Sequence, residues 1–390
     1  MTVFADVPLA PRDPILGITE AFVADQNPDK VNLGVGVYLD AQGKLPVLEC
    51  VRRAKEQVAL AAKPAAYLPI NGLAAYDAGV KELVFGAGSP LLERAVTVQG
   101  LGGTGALRIG AEFLRQLNAA APVLISDPSW ENHRALFTRT GFAVGTYRYY
   151  EPGVGLDFPG MLADLQDAAA GTVVVLHACC HNPTGYDLTP AQWTQVADAV
   201  QERQLVPFLD MAYQGFRDGL AADGAVVAEF AGRSVPLLVA TSFSKSLSLY
   251  GERVGALSVL GQDAEEAARI LSQLKVCVRT LYSNPPTYGA ALAAAVLADP
   301  ELRALWDAEL AQMRDRIKVM RKALAERLGP DFAFVTGQSG LFSYTGLAAD
   351  QMRALREQHS VYGLDSGRIC VAALNEGNID RVAQAIQAVR

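Results

Sequence analysis

A chain of 390 residues that is 51% hydrophobic and 19% charged has the composition of a globular protein with a large buried core. Its length exceeds what one core usually fills, so two domains are expected. A net charge of −7 and a pI near 5.3 argue against nucleic acid as a partner, and any anionic ligand must be held by a local cluster of basic groups.

The opening MTVFADVPLAPRDPILG has no basic start ahead of an apolar core and so does not read as a secretory signal. The stretch NLGVGVYLDAQGKLP (32–46) is rich in glycine and turn formers and predicts a strand and loop near a ligand. From residue 94 onward, apolar runs alternate with helical patterns: RAVTVQ, PVLIS, TVVVLHA, LVPFLD, LLVATS and GALSVL. Their spacing and their Val, Ile and Leu content predict an α/β fold with a mainly parallel sheet and crossover helices. No internal repeat and no low-complexity segment interrupts them.

Several of these runs end in residues that carry chemistry. GLGGTGALRIG (100–110) follows a strand and opens a helix, and it satisfies G-x-G-x-x-G at Gly100, Gly102 and Gly105, with Asp127 about twenty residues on. It can be a dinucleotide fingerprint, a tight structural turn, or a general phosphate cradle in which the amides of Gly103 and Thr104 open a helix. DPSWENH (127–133) offers an aromatic face in Trp130 and an imidazole in His133; a packed tryptophan is the plain alternative. HACCHNPTG (177–185) tempts a metal reading, but adjacent residues of a strand point to opposite faces, so four ligands there cannot converge and no metal is expected. Asn182, before Pro183 and Gly185, reads as an amide presented by a rigid turn. FLDMAYQGF (208–216) ends a strand in Asp210, which is either a helix cap or a site carboxylate, with Tyr213 three residues later. In SFSKSLSLYGERVGA (242–256), Lys245 stands among Ser242, Ser244 and Arg253, an amine with hydroxyls and a guanidinium, which suits a carbonyl-bearing phosphate.

Residues 280–298 are uncharged, but Asn284-Pro285-Pro286 and Gly289 break them, and no membrane span is expected. Apolar residues from Leu302 to Leu328 recur every three to four positions and predict one long amphipathic helix linking into a second domain. The tail holds strand-like runs, FAFV and GRICVAAL, and ends in an amphipathic helix, as a small α/β domain joined by the N-terminal segment would. The five cysteines are odd in number and two are adjacent, which suits reduced thiols in a cytoplasm.

Strand C-terminal loops of one open sheet are where ligands bind. Here they supply a lysine, a phosphate cradle, a carboxylate, a phenol, an amide and an aromatic face, the set that pyridoxal phosphate needs. Over essentially its whole length the chain resembles the class I aminotransferases of the aspartate/aromatic subgroup, carrying NLGVGVY, GGTGALR, CCHNPTG, SFSK…GERVG, YSNPP and SGR in the family's order. The resemblance implies a fold-type I pyridoxal-phosphate-dependent transferase. Its large domain (46–312) would hold a mainly parallel sheet sandwiched by helices, and a small α/β domain would form from both chain ends (1–45 and 313–390). It further implies a homodimer with active sites at the subunit interface.

By the same resemblance Lys245 is the Schiff-base lysine and proton shuttle. Asp210 pairs with the pyridine nitrogen with His133 behind it, Tyr213 and Asn182 bind the phenolic oxygen, and Trp130 stacks on the ring. Gly103, Thr104, Ser242, Ser244 and Arg253 hold the phosphate, with Tyr67 reaching from the other subunit. Arg368 clamps the substrate α-carboxylate near Gly36 and Asn182, and Arg279 of the partner meets a side-chain carboxylate. Aspartate-selective relatives tend to carry polar residues where this chain has Leu39, Leu45 and Ala66, and Gly251 and LFSYTGL also look like the aromatic branch. Thr104 and Asn284 look like the aspartate branch. The implied activity is ping-pong transfer of the amino group of aromatic amino acids and of aspartate or glutamate to 2-oxo acids, the alternative being a narrow aspartate aminotransferase. Three rivals explain less. A nicotinamide-dependent dehydrogenase leaves Lys245, Asn182 and Tyr213 idle, a transcription-regulator relative would need an extra DNA-binding domain, and a pyridoxal lyase does not account for Arg279 beside Arg368.

Overall fold

The computed structural model describes residues 2–10, 16–61, 64, 66–233 and 235–390. Met1 and residues 11–15 of the opening segment lie outside the described residues, as does Ala65 of the AAYLPINGL stretch. The strands, in chain order, are β1 (Val31–Asn32), β2 (Ala95–Leu101), β3 (Val123–Asp127), β4 (Val144–Arg148), β5 (Tyr150–Glu151), β6 (Gly155–Leu156), β7 (Val173–His177), β8 (Val206–Met211), β9 (Leu237–Ser242), β10 (Val254–Leu260), β11 (Phe342–Tyr344), β12 (Val361–Tyr362) and β13 (Arg368–Cys370).

Seven strands form the central sheet in the order β2-β10-β9-β8-β7-β3-β4. Both faces are covered, which is why its strands read as unbroken apolar runs. Val173, Val175, Phe208, Leu238 and Leu257 pack into one core with the Gly102–Leu117 helix. Val174, Leu176, Leu209, Val239 and Ala256 face the core on the other side. Only β10 runs against its neighbours, being antiparallel to both β2 and β9. The reversal puts the start of β10 at the edge where β2, β3, β7, β8 and β9 end, so the loops after Leu101, Asp127, His177, Met211 and Ser242 share one rim with Arg253.

The long helix is present as Pro300–Leu328. Asp299 caps it by accepting from the amides of Glu301 and Leu302, and its buried stripe runs through Leu302, Trp306, Leu310, Met313, Ile317, Met320, Leu324 and Leu328. At its first turns the Trp306 indole N–H donates to the Ser246 carbonyl at 2.6 Å, bracing the loop that carries Lys245. Beyond it, β11 pairs antiparallel with β13, and β1 pairs parallel with β12, so the N-terminal segment joins the C-terminal elements.

Two strand expectations do not hold. FAFV lies inside a 3-10 helix, Pro330–Gly337, where a positive-φ Gly329 followed by Pro330 starts a turn instead of a ladder. In GRICVAAL only Arg368–Cys370 is strand, and Val371–Ala373 tightens into a 3-10 turn. Among the described residues no helix is long and apolar enough to cross a membrane.

Candidate active site

The rim of the sheet holds a preformed anion cradle. The Gly102–Leu117 helix begins at Leu101, which offers no side-chain cap, so its first amides have no side-chain acceptor and point outward. Gly102 adopts φ +68° and donates its amide to the Arg253 carbonyl at 2.9 Å. A Cβ there would come within 2.7 Å of the Arg253 guanidinium, and one on Gly255 would sit 2.3 Å from the backbone of Gly102. Glycine at both positions is what lets β10 and the helix start approach this closely. The guanidinium of Arg253 reaches the Ser244 hydroxyl at 3.5 Å, and the Ser244 amide donates to Ser242 Oγ at 3.3 Å. Gly103 packs against Ser242, and Thr104 follows it in the first turn. One guanidinium, two hydroxyls and a helix N-terminus thus surround one space, a set matched to a phosphate.

The dinucleotide fold needs the glycine-turn strand and the next strand side by side, and here they are not neighbours. Four strands separate β2 from β3, so Asp127 stands far from the glycine turn, and G-x-G-x-x-G serves here only as the close-approach turn of the cradle.

Next along the rim, Asp210 at the end of β8 is buried and takes a 2.8 Å hydrogen bond with His133 Nε2; the other ring nitrogen, Nδ1, meets Ser129 Oγ at 3.0 Å. Burial pushes the Asp210 carboxyl up, but the hydrogen bond from His133, with Lys245 behind it, outweighs burial and holds the group below the usual carboxylate range. Trp130 stands edge-on to His133 with ring centres 5.2 Å apart. Tyr213 is buried, and burial raises its phenol; Lys245 Nζ lies 5.1 Å from the centre of its ring. Burial depresses Lys245 to about 8, with the positive charges of Arg253 and Arg368 adding to the shift and Asp210 opposing it. A lysine so placed is partly neutral, and nucleophilic, near neutral pH.

A third group gathers from distant parts of the chain. Arg368, buried at the start of β13, donates to Asn182 Oδ1 and to the Gly34 carbonyl, both at 2.9 Å. Its guanidinium carbon lies 4.1 Å from the centre of the Phe342 ring, and its Nε has no partner among the described residues. A Cβ on Gly36 would strike that ring at 2.5 Å, so glycine at 36 keeps Phe342 in place. An arginine held on two sides, with donor capacity left over, can take a carboxylate.

Lys245, Asp210, His133, Tyr213, Trp130, Asn182, Arg368 and the cradle residues therefore come together. The other expected residues make no hydrogen bond or ring contact with that group among the described residues. Leu39 is half-buried against the core, Leu45 is 49% exposed, and Ala66 is exposed. Tyr67 is 93% exposed. The Asn284 amide donates to the Leu68 carbonyl at 2.9 Å, and Arg279, exposed at the end of its helix, bonds Ser283. Tyr67 and Asn284 thus lie on a shared outer face.

HACCHNPTG also divides differently from a single metal cluster. His177 joins His133 and Asp210, while Cys179 and Cys180 lie with Asp223. His177 is buried with both ring nitrogens unpartnered, and burial lowers it to about 3, so it is a neutral neighbour of the His133–Asp210 pair. Its register opposite Asp210 across β7 and β8 is the signal that pairing, once known, makes readable. Phe342 had no signal beyond its place in LFSYTGL. A cavity of about 850 Å³ lies at the opposite edge of the sheet, among Arg94, Val173, Val206 and Gly261, and contains none of these residues.

The depressed lysine has a pH signature. In the cofactor-free protein, competitive acylation followed by peptide mass spectrometry should show Lys245 titrating with a midpoint near 8. The unfolded chain binds more protons than the folded one between that value and an ordinary lysine's, so the penalty this group places on folding is relieved as pH rises through that window. A midpoint matching the exposed lysines would contradict the burial of the amine between Arg253 and Arg368.

Known proteins match this geometry. The family model for aminotransferase class I and II matches residues 28–386. An aspartate aminotransferase of Pseudomonas aeruginosa is 53% identical, covering 99% of both chains. An aromatic-amino-acid aminotransferase of Escherichia coli is 47% identical over 97% of both. The solved structure of an aromatic-amino-acid aminotransferase from Burkholderia pseudomallei, covalently bound to pyridoxal phosphate, superposes with a TM-score of 0.97 at 58% identity, covering all of both chains. With the match running from end to end in both sequence and fold, the chain belongs to the class I and II aminotransferases.

Proposed function

We propose that this protein is a pyridoxal-phosphate-dependent aminotransferase that takes aromatic amino acids and the dicarboxylic acids aspartate and glutamate, working in two ping-pong half-reactions with 2-oxo acids as acceptors. One observation carries the reading: a lysine of depressed pKa, a buried carboxylate backed by an imidazole, and an anion cradle meet on one rim of one sheet. The relatives named for aspartate and for aromatic amino acids support both halves of the substrate range.

The residues fit the cofactor. The uncapped helix start with Gly103 and Thr104, together with Ser242, Ser244 and Arg253, would hold its phosphate; Trp130 would cover its ring, and Tyr213 and Asn182 would bind its phenolic oxygen. Bound there, pyridoxal phosphate supplies an aldehyde that can carry an amino group and a ring that accepts electron density. Asp210, kept ionised by His133, would hold the proton on the ring nitrogen. Lys245 removes and returns the proton at the substrate α-carbon, a task for an amine whose pKa lies near the working pH. Arg368, oriented by Asn182 and the Gly34 carbonyl beside Gly36, binds the α-carboxylate.

The site would be completed by a second copy of the chain. Tyr67, Arg279 and Asn284 lie on the outer face of this copy, where they can serve a neighbour's cleft: Tyr67 at the phosphate, Arg279 at a side-chain carboxylate. Leu39, Leu45 and Ala66 would give the side-chain pocket apolar walls suited to a phenyl or phenol ring. Residues 46–312 then form the cofactor-binding domain, with 1–45 and 313–390 the smaller one. Five free, buried cysteines suit a reducing cytoplasm.

A substrate panel with 2-oxoglutarate as acceptor tests the activity. Phenylalanine and tyrosine should reach a kcat/KM comparable to or above that of aspartate. A preference for aspartate of about a hundredfold or more, close to 3 kcal/mol of transition-state discrimination, would make the protein a narrow aspartate aminotransferase. Mixing tests the shared site. Hybrid dimers of Lys245→Ala and Arg279→Ala protomers should regain dicarboxylate activity that neither parent shows, since one of their two sites is intact. Verified hybrids that stay inactive would place Arg279 in its own subunit's site.

A further inference from the structure

Of the two groups that flank Arg368, Asn182 lies in a turn outside any regular element, and Phe342 opens β11, whose ladder partner β13 carries Arg368. Asp187 ties the turn of the first to the loop leading into the second. Its side chain is 5% exposed. One oxygen accepts the His181 amide at 2.9 Å, and the other accepts the Cys180 amide at 2.9 Å and the Ser339 hydroxyl. The first two donors immediately precede Asn182, and the third stands three residues before Phe342. Ser339 also donates its amide to the Gly185 carbonyl at 2.7 Å, closing the seam between the two loops. Gly185 has φ +71°, and a Cβ on it would lie 2.9 Å from Gln338, so the seam has no room for a side chain.

The far side of the second loop is tied down by a buried cation. Arg321, 3% exposed on the long helix, donates to the carbonyls of Gly340 at 2.6 Å and Phe342 at 3.1 Å and to Ser343 Oγ at 3.3 Å. Among the described residues it has no carboxylate within ion-pair distance, and its hydrogen bonds go to this loop. Arg217, 3.8 Å from Asp187, balances the buried carboxylate.

We propose that Asp187 and Ser339 are positioning residues that latch the Cys180–Asn182 turn to the Ser339–Phe342 loop and so set the orientation of the Arg368 guanidinium. The proposal rests on the reading of Arg368 as the binder of the substrate α-carboxylate. With the latch broken, Asn182 and Phe342 move independently, and the arginine between them loses its fixed fork without losing its charge. Affinity for a carboxylate should fall while cofactor content and the fold stay as they are, because preorganisation is what is removed.

The test uses the holoenzyme and 3-phenylpropanoate, which offers one carboxylate and no amino group, with binding followed through the cofactor's absorbance. Asp187→Asn keeps the shape but turns a donor toward one backbone N–H; its dissociation constant should rise by at least about tenfold. Ser339→Ala removes the hydroxyl's bonds to Asp187 and to the Gly185 carbonyl while leaving the amide bond across the seam; it should weaken binding in the same direction, and Ser339→Thr should restore it. Melting temperature and cofactor content should match wild type in both Ser339 variants. Arg368→Lys is the control that separates this proposal from the reading beneath it. If Arg368→Lys binds as wild type, the carboxylate role of Arg368 fails and the latch with it. If Arg368→Lys binds weakly while Ser339→Ala binds within twofold of wild type, the latch alone is overturned. Should Asp187→Asn fail to fold, the Ser339 pair decides.

Discussion

The site depends on a backbone approach too close for any side chain. Gly255, the second residue of β10, lies against Gly102 at the start of the cradle helix, and the amide of Gly102 bonds the carbonyl of Arg253. This contact is possible only because β10 enters the sheet reversed, between β2 and β9. Were β10 parallel like the rest, Arg253 would sit at the far edge, and the rim would hold Lys245 without a cation for the phosphate. A helix dipole, two serines and an arginine are thus brought together by topology as much as by residue type.

Charge on the rim is arranged in graded burial. Asp210 stays ionised although buried because His133 donates to it, and His133 is fixed in turn by Ser129. Lys245 lies between that carboxylate and two guanidinium groups, and its pKa falls because burial and the two cations outweigh one anion. Perturbed pKa values gathered in neighbouring buried groups are a mark of functional sites. The long helix contributes from behind, with Trp306 holding the Lys245 loop and Arg321 holding the loop of Phe342. One element thereby sets the distance between the amine and the carboxylate clamp.

Much of this was legible in the residue order. Apolar runs ending in polar residues showed where the strands stop, and the three-to-four spacing from Leu302 to Leu328 marked the long helix. Strand order was not legible, because β2 and β3 follow each other in the chain but have four strands between them in the sheet; the glycine fingerprint imitated a dinucleotide fold for that reason. FAFV misled because a short apolar run has no period of its own, and Gly329 and Pro330 turned it into a 3-10 helix. His177 meets Asp210 only through strand pairing, and Asp187 joins two nearby amides, of Cys180 and His181, to a hydroxyl far off in sequence, Ser339, which no local pattern announces. The roles of Tyr67 and Arg279 came from resemblance alone, since in one chain they face outward.

The central claim is that Lys245 is the amine to which the cofactor is joined. Borohydride reduction of the protein loaded with pyridoxal phosphate, followed by digestion and mass spectrometry, should place one pyridoxyl group per chain on Lys245. A group on any other lysine, or none at all, would contradict the account.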